Sequence, residues 1–382
     1  MKTLDPFTPE EVERARRYHG PLYVLLAIDL VLDLVVLGLL AFGPPGDWVA
    51  GALDGLPFWA RALAWPALVV AVGWLVGFPI AFWRGYVHEK QWGFSTQTRA
   101  GWLSDRVKGL AVGMVITSLM LFGFVSVAGA LGKAWPLVVV PGAALVVLFL
   151  SFVAPVVLEP VFNRFRPVDD AELAAELRSL SDRAGVPVRD VLVADASRRT
   201  RKENAYVSGL GRTRRVVLYD TLIARGDPAY VRLVVAHELG HRRLRHVSKG
   251  TVLGMFGAVG AVIALWALLR WDALLRAIGA HGPGDPRVVP FVLLAGAVLQ
   301  LAGLPLLSAL SRRWETAADH FSLQQTDDLD VFERSHRALA VSNLSDLDPP
   351  RLFYLMAFSH PTPPKRIAAA RRWASRGHST PR

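Results

Sequence analysis

His237-Glu238-Leu239-Gly240-His241 sets two imidazoles four residues apart, with a carboxylate beside the first. On a helix, positions i and i+4 lie one turn apart on the same face. Two imidazoles so placed can reach one zinc ion at about 2.0–2.1 Å. Glu238 is offset by one residue, so it meets a water on the metal rather than the metal itself. Zinc lowers the pKa of such a water toward about 7, and a neighbouring carboxylate takes its proton as it attacks a peptide carbonyl. The competing reading is a solvated helix with two unrelated histidines. Val231, Leu233, Val234 and Val235 weaken it, because they make the helix half-buried and polar groups buried without partners are costly.

A catalytic zinc needs a third protein ligand and an open position. No histidine lies six residues beyond His241, so a distant carboxylate is expected. Glu315-Thr316-Ala317-Ala318-Asp319 offers two carboxylates on one helical face. Glu315 is the candidate third ligand. Asp319 is placed to accept an N–H from a ligand histidine and fix its tautomer. A solvated helix end with ordinary charges is the other reading of this segment.

The elements that must position these groups follow from composition. There is no cysteine, which excludes disulfides, thiolate metal sites and thiol nucleophiles. Any metal is therefore held by histidine and carboxylate, a set that favours zinc. Apolar residues make up 52% of the 382 and fall in blocks about 20 long, as membrane spans do. Six candidates lie near 21–42, 62–83, 109–131, 135–157, 251–271 and 288–310. The first holds Asp29 and Asp33 and is too long for a signal core, so it reads as an uncleaved span. Pro136, Pro141 and Pro155 predict kinks in the fourth.

Basic residues alternate between loops. Arg14, Arg16 and Arg17 precede the first span, and Arg84, Lys90, Arg99, Arg106 and Lys108 follow the second. The 159–250 segment and the tail are also Arg-rich. This pattern puts both termini and the catalytic segments in the cytoplasm. It also accounts for the net charge of +11. With no nucleic-acid module in sight, no nucleic-acid partner is expected.

The long insert should hold a helix over 169–184 and strands near 191–193, 205–207 and 216–219. Asp227-Pro228 then opens the helix that carries the histidines, running to about Arg245. The predicted fold is mainly α: a polytopic membrane protein of about six spans bearing a cytoplasmic catalytic domain with a small β-sheet. Its predicted divisions are 1–158, four spans; 159–250, the catalytic insert; 251–312, two further spans; and 313–382, the segment with the third ligand.

Five pieces in order resemble the type I CAAX prenyl endopeptidases, membrane gluzincins related to the HtpX-like proteases. The two chemical motifs are one. Asn204-Ala205-Tyr206-Val207-Ser208-Gly209 is similar to the family's Asn-Ala-aromatic segment. Phe162-Asn163-Arg164-Phe165-x-Pro167 resembles the start of its catalytic domain, and Gln91-Trp92-Gly93-Phe94-Ser95-x-Gln97-Thr98 its loop after the second span. His360-Pro361-x-Pro363-x-x-Arg366 resembles its C-terminal motif, with Thr362 where the family has a second proline. Eukaryotic members usually add a seventh span.

The resemblance implies one zinc per chain on His237, His241 and Glu315, with Glu238 as catalytic base. It implies that Asn204, Ala205 and Tyr206 belong to an edge strand that receives substrate as an added strand. His360 would stabilise the oxyanion, and Arg366 would sit near the metal and substrate. Substrates would be peptides or proteins, lipidated or membrane-associated. The Ala-, Arg- and Val-rich composition fits a bacterial chain in the inner membrane. Two other functions remain open: quality control of damaged membrane proteins, with the same chemistry, and a non-enzymatic transporter, for which Asp29 and Asp33 speak.

Overall fold

A chain in hydrocarbon must satisfy its backbone hydrogen bonds internally, so its apolar blocks fold as helices. The computed structural model describes residues 4–153, 157, 159–209 and 211–376, which leaves Pro155 outside. Six helices are long and apolar enough to cross a membrane: Pro9–Phe42, Phe58–Gln91, Arg99–Ala134, Pro136–Val153, His246–Leu268 and Pro286–Thr326. Their lipid-facing character shows in large apolar side chains turned outward, with Leu137, Phe256 and Leu306 all more than 70% exposed.

The first helix, α1 (Pro9–Phe42), starts on a capping box, in which Thr8 and Glu11 bond each other's backbone N–H. It then runs straight through Asp29, which faces Arg84 at 3.9 Å. Three further long helices, α2 (Phe58–Phe82), α3 (Arg99–Leu131) and α4 (Pro136–Val153), follow in the N-terminal half, with a short helix over Pro44–Leu53 between the first two spans.

The insert folds as a four-stranded mixed sheet under two helices. The strands are β1 (Phe165–Pro167), β2 (Asp190–Ala194), β3 (Ala205–Ser208) and β4 (Arg215–Tyr219), in the order β1-β2-β4-β3. Only β2 and β4 run parallel. β1 was not foreseen; at three residues it is too short to show a period, and its proline is tolerated because it lies at a sheet edge.

Helix α5 (Ala171–Arg183) begins at Asp170, whose carboxylate accepts the Leu173 N–H at 2.9 Å. Its Leu177 packs with Val191, Leu218 and Leu239 in one buried cluster. Each such side chain contributes about 1.5–3 kcal/mol on leaving water.

Helix α6 (Pro228–Arg243) carries the paired histidines. Asp227 caps it by accepting the Ala229 and Tyr230 N–H groups at 3.0 and 3.2 Å. Arg245, in the left-handed region at φ 58°, turns the chain directly into α7 (His246–Leu268). α7 packs along α4. The last membrane helix does not stop at the membrane. α8 (Val289–Thr326) is a single 38-residue helix, so the expected division at 312/313 falls inside it. Three helices follow: α9 (Leu329–Ser342), α10 (Arg351–Ala357) and α11 (Pro363–Ser375).

Candidate metal centre

α6 and the far end of α8 pack closely. Gly240 makes this possible: a Cβ there would meet Phe321 at 3.1 Å and the Ala318 backbone at 3.3 Å. Ala318 itself is fully buried. Small residues on both helices therefore let Glu315 come up against the two histidines.

The three candidate ligands converge. His237 Nε2 lies 3.2 Å from Glu315 Oε2, and His241 Nε2 lies 3.3 Å from Glu315 Oε1. The two Nε2 atoms are 3.2 Å apart. All three ligand atoms lie within 4.8 Å of one another. Glu315 Oε2 is buried and makes no hydrogen bond. A buried carboxylate oxygen without a donor is costly, and a cation among these atoms would satisfy it. The donor set of two imidazoles and a carboxylate fits a divalent metal with an open position.

Each histidine is backed differently. His237 Nδ1 lies 2.9 Å from Asp319 Oδ1. Arg366 grips the same carboxylate, Nε to Oδ2 at 2.8 Å and Nη2 to Oδ1, and its Nη2 is 3.3 Å from His237 Nδ1. Arg366 thus has an acid partner behind the ligand, although it also borders the cleft. His336 lies 3.7 Å from Asp319. Among the described residues no acid pairs with His241 on its far side; its Nδ1 meets His246 Nδ1 at 3.1 Å, and His246 is stacked on Trp314.

Burial works against charge on His237, but the Asp319 and Glu315 carboxylates outweigh it and push its pKa up to about 9. On His336 burial prevails, aided by the Arg366 charge, and its pKa is lowered.

A cleft of about 750 Å³ opens in front of the histidines. Asn204, His237, Glu238 and His360 line it, together with apolar Leu233, Leu339 and Phe358. His360 is half-exposed, and its Nε2 lies 3.2 Å from Glu315 Oε1. Its Nδ1 is 2.7 Å from the Ser359 hydroxyl. Thr362, in place of proline, is the buried residue that precedes α11.

The Asn204 segment is an edge strand, β3, as expected. Tyr219 N–H donates to the Asn204 carbonyl, so the antiparallel alternation turns the Ala205 and Val207 backbone groups to the open edge. Two of these are already engaged: Asn204 Oδ1 accepts the Ala205 N–H at 2.9 Å, and Arg242 donates to the Val207 carbonyl. Ala205 and Tyr206 do not line the cleft by their side chains; Ala205 is buried, and Tyr206 packs edge-on to Tyr219.

Comparison with known proteins adds the following. Residues 167–374 match peptidase family M48, and residues 3–164 match the CAAX prenyl protease N-terminal family, described as five membrane helices. Uncharacterized metalloprotease YhfN of Bacillus subtilis is 29% identical over 373 residues, covering 95% of this chain and 86% of that one. CAAX prenyl protease 1 of Saccharomyces cerevisiae is 26% identical over 329 residues, covering 81% and 72%. The crystal structure of S. mikatae Ste24p superposes with a TM-score of 0.80 at 22% identity, over 96% of this chain and 91% of that one.

Proposed function

The chain belongs to peptidase family M48, and on that premise we propose that it is a zinc endopeptidase whose metal is held by His237, His241 and Glu315. That it is an integral-membrane metalloprotease acting on peptides or proteins follows from the family matches and the six apolar helices. The zinc assignment and the residue roles are our reading. The observation that carries it is the buried Glu315 carboxylate set between two imidazole nitrogens, Oε2 beside His237 Nε2 and Oε1 beside His241 Nε2.

A zinc ion held there supplies Lewis acidity and makes water nucleophilic near neutral pH. The chain's own groups do the rest. Glu238, beside His237 in the cleft, takes the proton of the attacking water and returns it to the leaving amine. Asp319, locked by Arg366, holds His237 in one tautomer with Nε2 free to ligate. His360, at the cleft wall, stabilises the oxyanion. The open edge of β3 aligns the substrate by backbone hydrogen bonds, with the Ala205 carbonyl and Val207 N–H turned outward.

The CAAX prenyl protease relatives and the apolar cleft wall favour lipidated or membrane-associated peptides as substrates. Loop charges favour a cytoplasmic site, and the Bacillus relative favours a bacterial chain, hence the cytoplasmic (inner) membrane. No nucleic-acid role is proposed.

The test uses purified protein in detergent, with zinc counted per chain and a quenched peptide panel presented with and without a farnesyl group. We expect about one zinc per chain, and a loss of 10²–10⁴-fold in turnover for Glu238→Gln with zinc retained. Preference for the farnesylated panel would assign the lipidated substrate class. Protein that takes up no zinc, or a fully active Glu238→Gln, would remove the reading.

A further inference from the structure

A second cavity, of about 400 Å³, lies at the C-terminal end of α6, away from the cleft. Four arginines wall it: Arg214 before β4, Arg242 and Arg243 at the end of α6, and Arg245 at the turn into α7. No carboxylate lines it among the described residues, and none of the four lies in an ion pair there. Arg242 donates only to the Val207 carbonyl. Burial, and after it the repulsion of Arg214, hold the Arg242 pKa below its ordinary value against the pull of Glu238 and Glu159, which stand outside the lining. Glu159 is moreover engaged by Arg215 at 3.1 Å and Ser208 at 3.0 Å. Like charges gathered in a concavity with no counter-ion are a receptor for an anion.

The place narrows the anion. Val247, also in the lining, belongs to the first turn of α7, the start of a candidate span. The cavity therefore opens where a membrane helix begins, at the depth of lipid headgroups. The guanidinium fork matches the two oxygens of a phosphate, and basic pockets beside spans hold anionic headgroups. The amino end of α7 adds its own positive pole. A cavity of this size takes one headgroup, not a polymer.

We propose that the cavity formed by Arg214, Arg242, Arg243 and Arg245 binds the phosphate of one anionic lipid headgroup. The site is separate from the cleft: His241 reaches its wall, whereas His237 and Glu238 line the other side. Binding is read without substrate or turnover, so the result is independent of the peptidase reading.

The experiment is native mass spectrometry of the full-length protein in detergent, titrated with phosphatidylglycerol, phosphatidylcholine or inorganic phosphate. Wild type should retain one phosphatidylglycerol in preference to phosphatidylcholine. Arg214→Gln with Arg245→Gln should weaken it about thirty-fold, as expected for two headgroup-facing cations. Arg166→Gln with Arg178→Gln, two exposed arginines on β1 and α5 outside the cavity lining, should leave it within twofold. Arg214→Lys with Arg245→Lys keeps both charges and should bind more tightly than the glutamine pair, which separates the site from a folding defect. Phosphatidylglycerol binding unchanged in the glutamine pair, or equal losses in the control, glutamine and lysine pairs, would overturn the proposal. Inorganic phosphate binding as tightly as the lipid would overturn the headgroup as its source.

Discussion

His237 and His241 sit one turn apart on the same helix, face the same glutamate and look equivalent in the sequence. Their surroundings are not. Behind His237 stands a buried carboxylate clamped by Arg366, with His336 close by. Behind His241 stands His246, stacked on Trp314 at the foot of a membrane helix. One ligand is oriented by charge and the other by a neutral neighbour and packing. A carboxylate both fixes the tautomer and raises the basicity of its histidine, while an imidazole partner offers orientation alone. The difference teaches that the two positions of one motif carry unequal shares of the metal's hold.

The sharpest break of this comparison is Asp319→Asn. It removes the charge that Arg366 and His237 share, and we expect a loss of 10–100-fold in metal affinity or activity. Competition with a zinc-binding dye would measure it. His246→Phe keeps the stack on Trp314 and removes only the nitrogen that meets His241. We expect a loss well under tenfold, and an effect as large as that of Asp319→Asn would dissolve the asymmetry.

A pH series sharpens it further. In the metal-free protein the His237 pKa of about 9 stands above its ordinary 6.5. A raised pKa stabilises the fold fully below about pH 6.5, and that contribution is lost as pH rises through about 9. Chelated protein should therefore melt progressively lower from about pH 6.5 to 9.5 at a fixed scan rate. The slope should flatten in Asp319→Asn; an unchanged slope there would assign the effect to another group.

The smallest effect tests the approach of the two helices. Gly240→Ala gains about 1 kcal/mol of helix propensity but must displace Phe321 and Ala318, at about 1–3 kcal/mol. A melting shift of a few degrees downward is expected, with zinc retained. A stabilised variant would show that the contact at Gly240 yields easily.

How far the sequence revealed this site depended on the range of each interaction. His237, Glu238 and His241 declare themselves through a spacing of one helical turn. So do Glu315 and Asp319, although meeting α6 required the right topology. The six spans were legible because apolar length is a local property. What stayed hidden was tertiary. Nothing local distinguishes His246 or His336 from surface histidines, and both gain their places only when α8 and α9 pack on α6. Arg366 was anticipated as a neighbour of the metal and substrate; its pairing with Asp319 depends on two helix segments 47 residues apart.

The unbroken course of α8 has a consequence for how the enzyme can be divided. The same rod that lies in lipid delivers Glu315, about five residues or 7.5 Å past the end of its apolar stretch. A fragment encoding only the insert would fold around two of three ligands and have no route to the third. The coordination sphere is in this sense a property of the embedded protein. Membrane extraction, lipid thickness and detergent choice should therefore register in metal content before they register anywhere else in the soluble half.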